Sequence, residues 1–349
     1  MKYEIATTVH AVAEEDWDRL ARHAGLYLSH RWLAGEETDP TATTVYVLVR
    51  DADGGADGGG AGEGDADAEG PLLAAAPLHL VHTEPNSLYA PPRPASGAPP
   101  PQVVAGARRG YHNTPLIDPE LPPHRRDACL TLLRDAARTY ARTHGTAHWW
   151  PYLTTPAAEL LGPLYPSPPV EVEQDALIPL PGTGFDDYLG SLPSKRRVAV
   201  RRERVTFQTA GPRVRHLALG ACVRDAGRLL AAQQNTQGHR ADTTDVMTAL
   251  LERQVASMGD RARVAAVHDG HAMVAFGLYY HFGGTTWVRA IGTDPSRPVP
   301  FAYFNLAYYL PIADGYRAGT TALHAGMKSI AAKRLRGARI SGLHALSDA

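Results

Sequence analysis

The sequence predicts an α/β protein built from two domains. Its 349 residues are enough for two domains of ordinary size. Residues 163–169 include four prolines and mark a junction, so we expect domains at 1–165 and 166–349. Beyond the junction the pattern changes from helices to antiparallel strands, and then to a helix, a strand and a helix. This order is typical of a mixed sheet flanked by helices.

The first domain shows a similar order of predicted strands and helices, with fewer elements. Residues 43–50 and 72–81 read as strands, 125–144 as a helix with an apolar stripe, and 147–153 as a buried strand. Residues 51–70 contain only Asp, Glu, Gly and Ala. Such a segment has too little apolar surface to offset its ordering entropy, so we predict a disordered acidic loop there.

The second domain is predicted in more detail. It opens with a strand at 170–179 and a short helix at 184–190, and Ser191 is the expected N-cap of a longer helix that ends near Phe207. Turn signals at Asp269-Gly270 and Gly283-Gly284 predict a three-stranded meander. The remaining predicted elements are a strand at 213–217, helices at 219–235 and 243–257, meander strands at 261–268, 271–281 and 285–291, a helix at 301–317, a strand at 321–324 and a helix at 329–335.

Composition excludes several classes of protein. The net charge is −1, so any attraction for nucleic acid must be local. The two cysteines, Cys129 and Cys222, have neither metal-binding nor redox spacing, and we expect buried thiols, no metal site and no cofactor. No apolar run approaches the length of a membrane span, which favours a cytoplasmic protein.

Two clusters of cations lie in the second domain. Six lysines and arginines fall between Lys195 and Arg204, with Glu203 as the single acid among them. The second cluster comprises Lys328, Lys333, Arg334, Arg336 and Arg339. Crowded cations repel each other unless solvent or an anion balances them, so the clusters indicate either a solvated basic face or a shared polyanionic ligand.

A series of short motifs accompanies these cations. Ser191-x-x-Ser-Lys-Arg-Arg197 is followed by Tyr303-x-Asn305, and then by Leu323-His-x-Gly326 and Lys333-Arg-x-Arg-Gly337. Over residues 185–340 this series resembles the Fem-type aminoacyltransferases and their acetyltransferase-like relatives. The resemblance implies two tandem GNAT-like (acyl-CoA N-acyltransferase-like) domains with mixed central sheets flanked by helices. It also implies an acyltransferase.

The resemblance implies roles for particular residues. Lys333 would stabilise the oxyanion of the transition state, with His324 and Lys328 as further catalytic candidates. The aromatic residue that precedes this lysine in the family is Ala332 here. The implied donor- and phosphate-binding residues are Lys195, Arg196, Arg197, Arg201 and Arg336. The implied acceptor pocket consists of Tyr303, Asn305, Gln237 and His239.

The segment from Gly292 to Pro298 bears on the acyl donor. Ordinary GNAT enzymes place a glycine-rich pyrophosphate loop here, whereas this chain has Gly-Thr-Asp-Pro-Ser-Arg-Pro. Prolines lack the backbone N–H groups that such a loop needs. We therefore expect transfer from aminoacyl-tRNA to an amine, hydroxylamine or hydroxyl of a peptidoglycan precursor or of a small molecule in natural-product biosynthesis. An acyl-CoA-dependent N-acyltransferase and a non-catalytic nucleic-acid-binding module remain alternatives.

Overall fold

The computed structural model describes residues 1–51, 70–84, 86, 88–91, 100–236 and 243–348. These form two compact units, Met1–Glu173 with Gly342–Ala349, and Gln174–Ser341. The boundary predicted at 165/166 therefore falls inside the first unit, to which the C-terminal residues also return. Most of the acidic loop predicted at 51–70 lies outside the described residues.

The first unit is a mixed sheet with helices. Its strands run in the order β1-β2-β3-β4-β6-β13, with β5 paired to β3. The elements are β1 (Lys2–Ala6), α1 (Glu14–Ala24), α2 (His30–Glu36), β2 (Ala42–Arg50), β3 (Leu72–Val81), β4 (Val103–Ala105), β5 (Leu116–Ile117), α3 (Pro123–Thr143), β6 (His148–Thr154), α4 (Thr155–Leu161) and the C-terminal part of β13 (Arg339–Ser347).

Two interactions explain why the C-terminus belongs to the first unit. Leu343 and Ser347 of β13 pair with β6, which lies almost two hundred residues earlier in the chain. Next to this strand, Arg138 of α3 forms a bidentate ion pair with Asp348, with N–O distances of 2.7 and 2.5 Å. Pairing over such a separation leaves no local signal in the sequence, so the pattern of helices and strands did not predict it.

The second unit is also a mixed sheet, ordered β7-β12-β11-β10-β9-β8. Strands β11 and β12 are parallel, whereas the other neighbours are antiparallel. Its elements are β7 (Val170–Pro179), α5 (Phe185–Ser191), α6 (Ser194–Thr209), β8 (Arg213–Ala218), α7 (Val223–Thr236), α8 (Thr244–Met258), β9 (Arg263–Asp269), β10 (Ala272–Phe282), β11 (Thr285–Thr293), α9 (Ala302–Phe304), α10 (Leu310–Arg317), β12 (Ala322–His324) and α11 (Ile330–Arg334).

The predicted helix and strand order is confirmed in this unit, with two corrections. Helix α6 begins at Ser194 after Pro193, so Ser191 is not its N-cap. The single helix predicted at 301–317 is interrupted by a π-helix, Asn305–Tyr309. Pro311 explains the interruption, because proline has no N–H for the carbonyl of Ala307 and its ring clashes with that carbonyl. The backbone widens into a π-turn just before it.

Asp314 of α10 is the centre of a buried polar network. Its carboxylate accepts hydrogen bonds from the Tyr279 hydroxyl at 2.9 Å and from Nε2 of His281 at 3.0 Å. Arg317 lies 3.1 Å and Arg263 3.5 Å from the same carboxylate. The hydrogen bond from His281 is the main cause that holds the pKa of Asp314 well below its usual range, against the opposing effect of burial.

This lowered pKa predicts acid sensitivity. Because the folded pKa of Asp314 lies below the unfolded value, its stabilisation is complete at neutral pH and is lost as the pH falls below about 4. We expect Asp314→Asn to lower the free energy of unfolding by about 2 kcal/mol at pH 7. Denaturant unfolding from pH 7 to pH 3 should show the difference from wild type shrinking. A difference that stays constant would contradict this role of the charge.

Candidate functional site

The parallel strands β11 and β12 form a fork in the second unit. They pair only from Thr285 to Trp287 and from Ala322 to His324. Beyond these pairs β11 continues to Thr293, whereas the chain after β12 becomes the loop 325–329. The register between β10 and β11 shifts at the same place and leaves Arg289 as a bulged residue. Bulges redirect side chains and are frequent beside active sites, so we take this fork as the candidate site.

His324 lies at the apex of the fork. Its Nε2 is 2.9 and 3.0 Å from the two carboxylate oxygens of Asp175 on β7. The ring lies 4.3 Å, centroid to centroid, from that of Trp287 and is fully buried. The carboxylate fixes the orientation of the imidazole and favours the tautomer that carries the proton on Nε2. Asp175 was not predicted, because a single acid within a strand carries no distinctive signal.

Lys333 is buried beside the loop that leaves the fork. Lys333 belongs to helix α11, and the residue is only 5% exposed. The ammonium donates to the carbonyl oxygens of Gly326 and Met327, each at 2.6 Å. A lysine ammonium has three N–H donors, so these two bonds anchor the loop and fix the position of the charge. This fixed, poorly solvated cation is suited to stabilising developing negative charge.

Lys328 differs from Lys333 in its surroundings. It is exposed, and its backbone has a φ of 63°, followed by Ser329 with a φ of 47°. Two consecutive non-glycine residues in the left-handed region are costly and occur where the surrounding structure requires a sharp turn. The turn begins α11 and thereby brings Lys333 back over the loop. Of the two lysines, Lys333 is buried, whereas Lys328 is exposed.

Arg336 has a different role from the one predicted. Its Nε donates to the Tyr309 hydroxyl at 3.1 Å, its Nη1 to the Ala332 carbonyl at 2.9 Å and its Nη2 to Glu203 at 2.8 Å. The guanidinium also lies 3.8 Å from the ring centroid of Phe304. Each guanidinium nitrogen thus has an acceptor inside the unit, and the residue is buried. The prediction that Arg336 binds donor phosphate is therefore corrected to a structural role.

Glu203 completes this buried cluster. The hydroxyl of Tyr309 donates to the same carboxylate oxygen that pairs with Arg336. Helix α6, the π-helix and the turn that follows α11 are thereby joined, so the two basic segments lie next to each other. The sequence carried a signal for this contact, because Glu203 is the only acid within the first cation cluster.

The remaining cations of α6 do not converge on one point. Lys195 and Arg201 are exposed, whereas Arg196 and Arg197 are half-buried. Helical spacing puts Arg197 and Arg201, four residues apart, on one ridge. Lys195 and Arg202, seven residues apart, form a second ridge on another side of the helix. The predicted phosphate-binding group is thus divided between two surfaces, and Arg196 is turned towards the side of buried Val200.

The predicted acceptor residues are also separated. Tyr303 is 42% exposed, whereas Asn305 is buried and donates from Nδ2 to the Phe301 carbonyl at 3.0 Å. Residues two apart on a helix do not share a face. Gln237 and His239 lie outside the described residues. Gln233, one turn earlier on α7, accepts a hydrogen bond at 3.1 Å from Thr293, the last residue of β11.

The loop after β11 is closed by Asp294. The backbone N–H and hydroxyl of Ser296 both donate to Oδ1 of Asp294, at 2.9 and 2.6 Å. The N–H of Arg297 donates to the Asp294 carbonyl at 3.2 Å. The Ser296 hydrogen bonds keep the pKa of Asp294 below its usual range, so the loop presents a carboxylate. A loop that presents a carboxylate, and in which the N–H groups of Ser296 and Arg297 are already used, is a poor cradle for pyrophosphate.

Comparison with known proteins finds similarity in sequence and in fold. The sequence pattern of the FemAB-like family, described as peptidoglycan biosynthesis/recognition, matches residues 182–346. This C-terminal region is similar to that family. No curated protein matches the chain significantly. The predicted resemblance to Fem-type and GNAT-like acyltransferases is thus confirmed, and it supports an acyltransferase without establishing the donor.

Solved structures share the fold along the whole chain. FemX matches with a TM-score of 0.66 and 12% identity, covering 100% of this chain and 97% of that one. A tandem GNAT protein from the clavulanic acid biosynthesis pathway matches with a TM-score of 0.53 and 12% identity, covering 100% and 99%. A conserved protein of unknown function from Bacteroides thetaiotaomicron matches with a TM-score of 0.57 and 10% identity, covering 97% and 94%. The predicted tandem GNAT-like fold is therefore confirmed.

Within the part of the chain that the structure describes, no helix is both long enough and apolar enough to cross a bilayer.

Proposed function

We propose that the protein is an aminoacyltransferase that moves an aminoacyl group from aminoacyl-tRNA to the amine, hydroxylamine or hydroxyl of a small-molecule or peptidoglycan-precursor acceptor. The observation that carries the proposal is the fixed ammonium of Lys333 at the fork, where its carbonyl partners hold it at 2.6 Å. A cation held in a poorly solvated place stabilises an oxyanion more strongly than one that must reorganise.

The proposed reaction is a direct transfer. The acceptor nitrogen or oxygen attacks the carbonyl carbon of the aminoacyl ester, and the carbonyl oxygen becomes the oxyanion of a tetrahedral intermediate. The intermediate collapses, the ester C–O bond breaks, and the ribose hydroxyl of the tRNA leaves with the proton that the acceptor has lost. The enzyme contributes orientation and charge stabilisation, and no covalent enzyme intermediate forms.

The roles of the fork residues follow from their burial. Lys333 faces the developing oxyanion. His324 is fully buried and fixed by Asp175, so we assign it to orienting the apex of the fork. Lys328 is exposed, so we assign it to a contact with the donor's phosphates. Tyr303, which is exposed, is assigned to the acceptor together with Gln237 and His239.

The choice of RNA over coenzyme A rests on two features of the second unit. The loop at Asp294 presents a carboxylate and uses its own N–H groups, which disfavours binding of the CoA pyrophosphate at that loop. Helix α6, which carries the ridge of Arg197 and Arg201, packs next to the second basic segment, because Glu203 on α6 pairs with Arg336 just after α11. Adjacent guanidinium groups on an exposed helix can follow a phosphate backbone.

Turnover with a pool of charged tRNAs tests the proposal. We expect mass analysis to find aminoacylated acceptor after incubation with candidate amines, and we expect ribonuclease treatment of the donor to abolish it. Acyl-CoA should give no product. Product from acyl-CoA that survives ribonuclease would replace the proposal by a CoA-dependent N-acyltransferase. RNA binding without any turnover would favour a non-catalytic nucleic-acid-binding module.

The two ridges of α6 provide a matched pair of variants for donor binding. Arg197→Ala with Arg201→Ala removes two charges, as does Lys195→Ala with Arg202→Ala. The first pair should make the slope of log affinity against log salt shallower by about 1 to 2, because each lost phosphate contact releases about one fewer counterion. Equal effects of the two pairs would show that α6 acts only through its total charge.

A further inference from the structure

The outward face of α6 combines cations with exposed valines. Val198 is 61% and Val205 57% exposed, although both are apolar and branched at Cβ. They share a face with Lys195 and Arg202, because positions 195, 198, 202 and 205 are spaced by three and four residues. The helix therefore presents an alternating row of cation, valine, cation and valine to its surroundings.

The opposite face shows that this row points away from the core. Val200 and Phe207 are buried in the apolar core of the second unit. Helical geometry places them roughly half a turn away from Val198 and Val205. A single exposed apolar residue needs no explanation, but two that share a face with two cations form a mixed surface that solvent alone does not favour.

We propose that this row, Lys195-Val198-Arg202-Val205, docks on the surface of an anionic phospholipid bilayer. The two cations, about 10 Å apart along the helix axis, would contact separate headgroups. Val198, between the two cations, and Val205, one turn beyond Arg202, would enter the boundary between headgroups and acyl chains. An RNA backbone would use the cations but would leave the valines without an apolar partner.

The charge of the surrounding surface suits this partner. The whole chain has a net charge of −1, so attraction to anionic lipid must come from a local patch. On α6 the single acid, Glu203, is already paired with Arg336 and accepts from Tyr309. The exposed Arg201 adds a further cation beside the row. The inference does not depend on the identity of the acyl donor, so it can hold or fail separately from the proposed function.

Sedimentation with vesicles tests the docking of the full chain. We expect binding to vesicles of equal parts phosphatidylglycerol and phosphatidylcholine, weakened by salt, and no binding to phosphatidylcholine alone. The variant Val198→Ser with Val205→Ser keeps every charge and should bind the anionic vesicles about tenfold more weakly. Val246→Ser is the matched control, since Val246 is 49% exposed on α8, and it should bind like wild type.

Binding of the same variants to uncharged tRNA distinguishes a lipid from an RNA partner. The double serine variant should bind tRNA as wild type does, because it loses no cation. Failure of the wild type to bind anionic vesicles would overturn the proposal. Vesicle binding that is unchanged in the double serine variant would also overturn it, because it would reduce the row to an electrostatic surface. Thermal melting of all variants should be unchanged, since these positions are exposed.

Discussion

Arg336→Ala is expected to destabilise the protein by about 4 kcal/mol, the largest effect on stability among the substitutions considered. Glu203 would keep its position against the Tyr309 hydroxyl but would lose its cationic partner at 2.8 Å. Its side chain is 17% exposed, so water only partly compensates for the lost charge. The ring of Phe304 would also lose the guanidinium that covers it. An uncompensated buried charge costs far more than the net gain from forming the pair.

The measurement is denaturant unfolding at neutral pH, with Arg334→Ala as the matched control. Arg334, the last residue of α11, lies two residues before Arg336 but is exposed, and its loss should change the free energy of unfolding by no more than about 0.5 kcal/mol. Adding Glu203→Gln to Arg336→Ala should recover part of the loss, because glutamine is neutral and still accepts from Tyr309. Equal stabilities of the Arg336 and Arg334 variants would show that the cluster contributes little.

The local elements of the fold were predictable because their signals are short-range. Strands 43–50, 72–81 and 170–179 read as apolar or alternating runs bounded by turn residues, and the structure places strands there. The return of the C-terminus to the first unit was not predictable, because the pairing of β13 with β6 depends on residues far apart in sequence. The π-helix before Pro311 was missed because a proline predicts an interruption but not the form it takes.

The candidate site was predictable only where a motif carried it. The resemblance pointed to Lys333 and His324, and the structure adds the partners that fix them, the carbonyl of Gly326 and the carboxylate of Asp175. Sequence alone could not tell which arginines of a basic run point inward. Arg336 is buried because Glu203, more than a hundred residues earlier, lies opposite it. An isolated acid within a run of cations is therefore a useful indication of an internal ion pair.

Lys333→Ala is expected to have the largest effect on turnover. The ammonium gains most from the charge that develops in the transition state, so its loss should lower the rate by about a hundredfold, or roughly 3 kcal/mol, with a smaller effect on donor affinity. Part of the loss will reflect the loop, because the carbonyl groups of Gly326 and Met327 lose their shared donor. Lys333→Arg should rescue poorly, since a planar guanidinium cannot place its charge where the compact ammonium was.

Single-turnover rates at saturating donor separate these contributions. A loss of rate with nearly unchanged donor affinity and melting temperature supports charge stabilisation, whereas a matching loss of affinity and stability would point to the loop alone. Arg334→Ala, which removes the neighbouring exposed cation, should keep the wild-type rate and so controls for total charge. If Lys333→Ala and Lys333→Arg both retain near wild-type rates, Lys333 only anchors the loop. Lys328 or His324 would then have to stabilise the oxyanion. The same assay on Lys328→Ala and His324→Ala would decide between them.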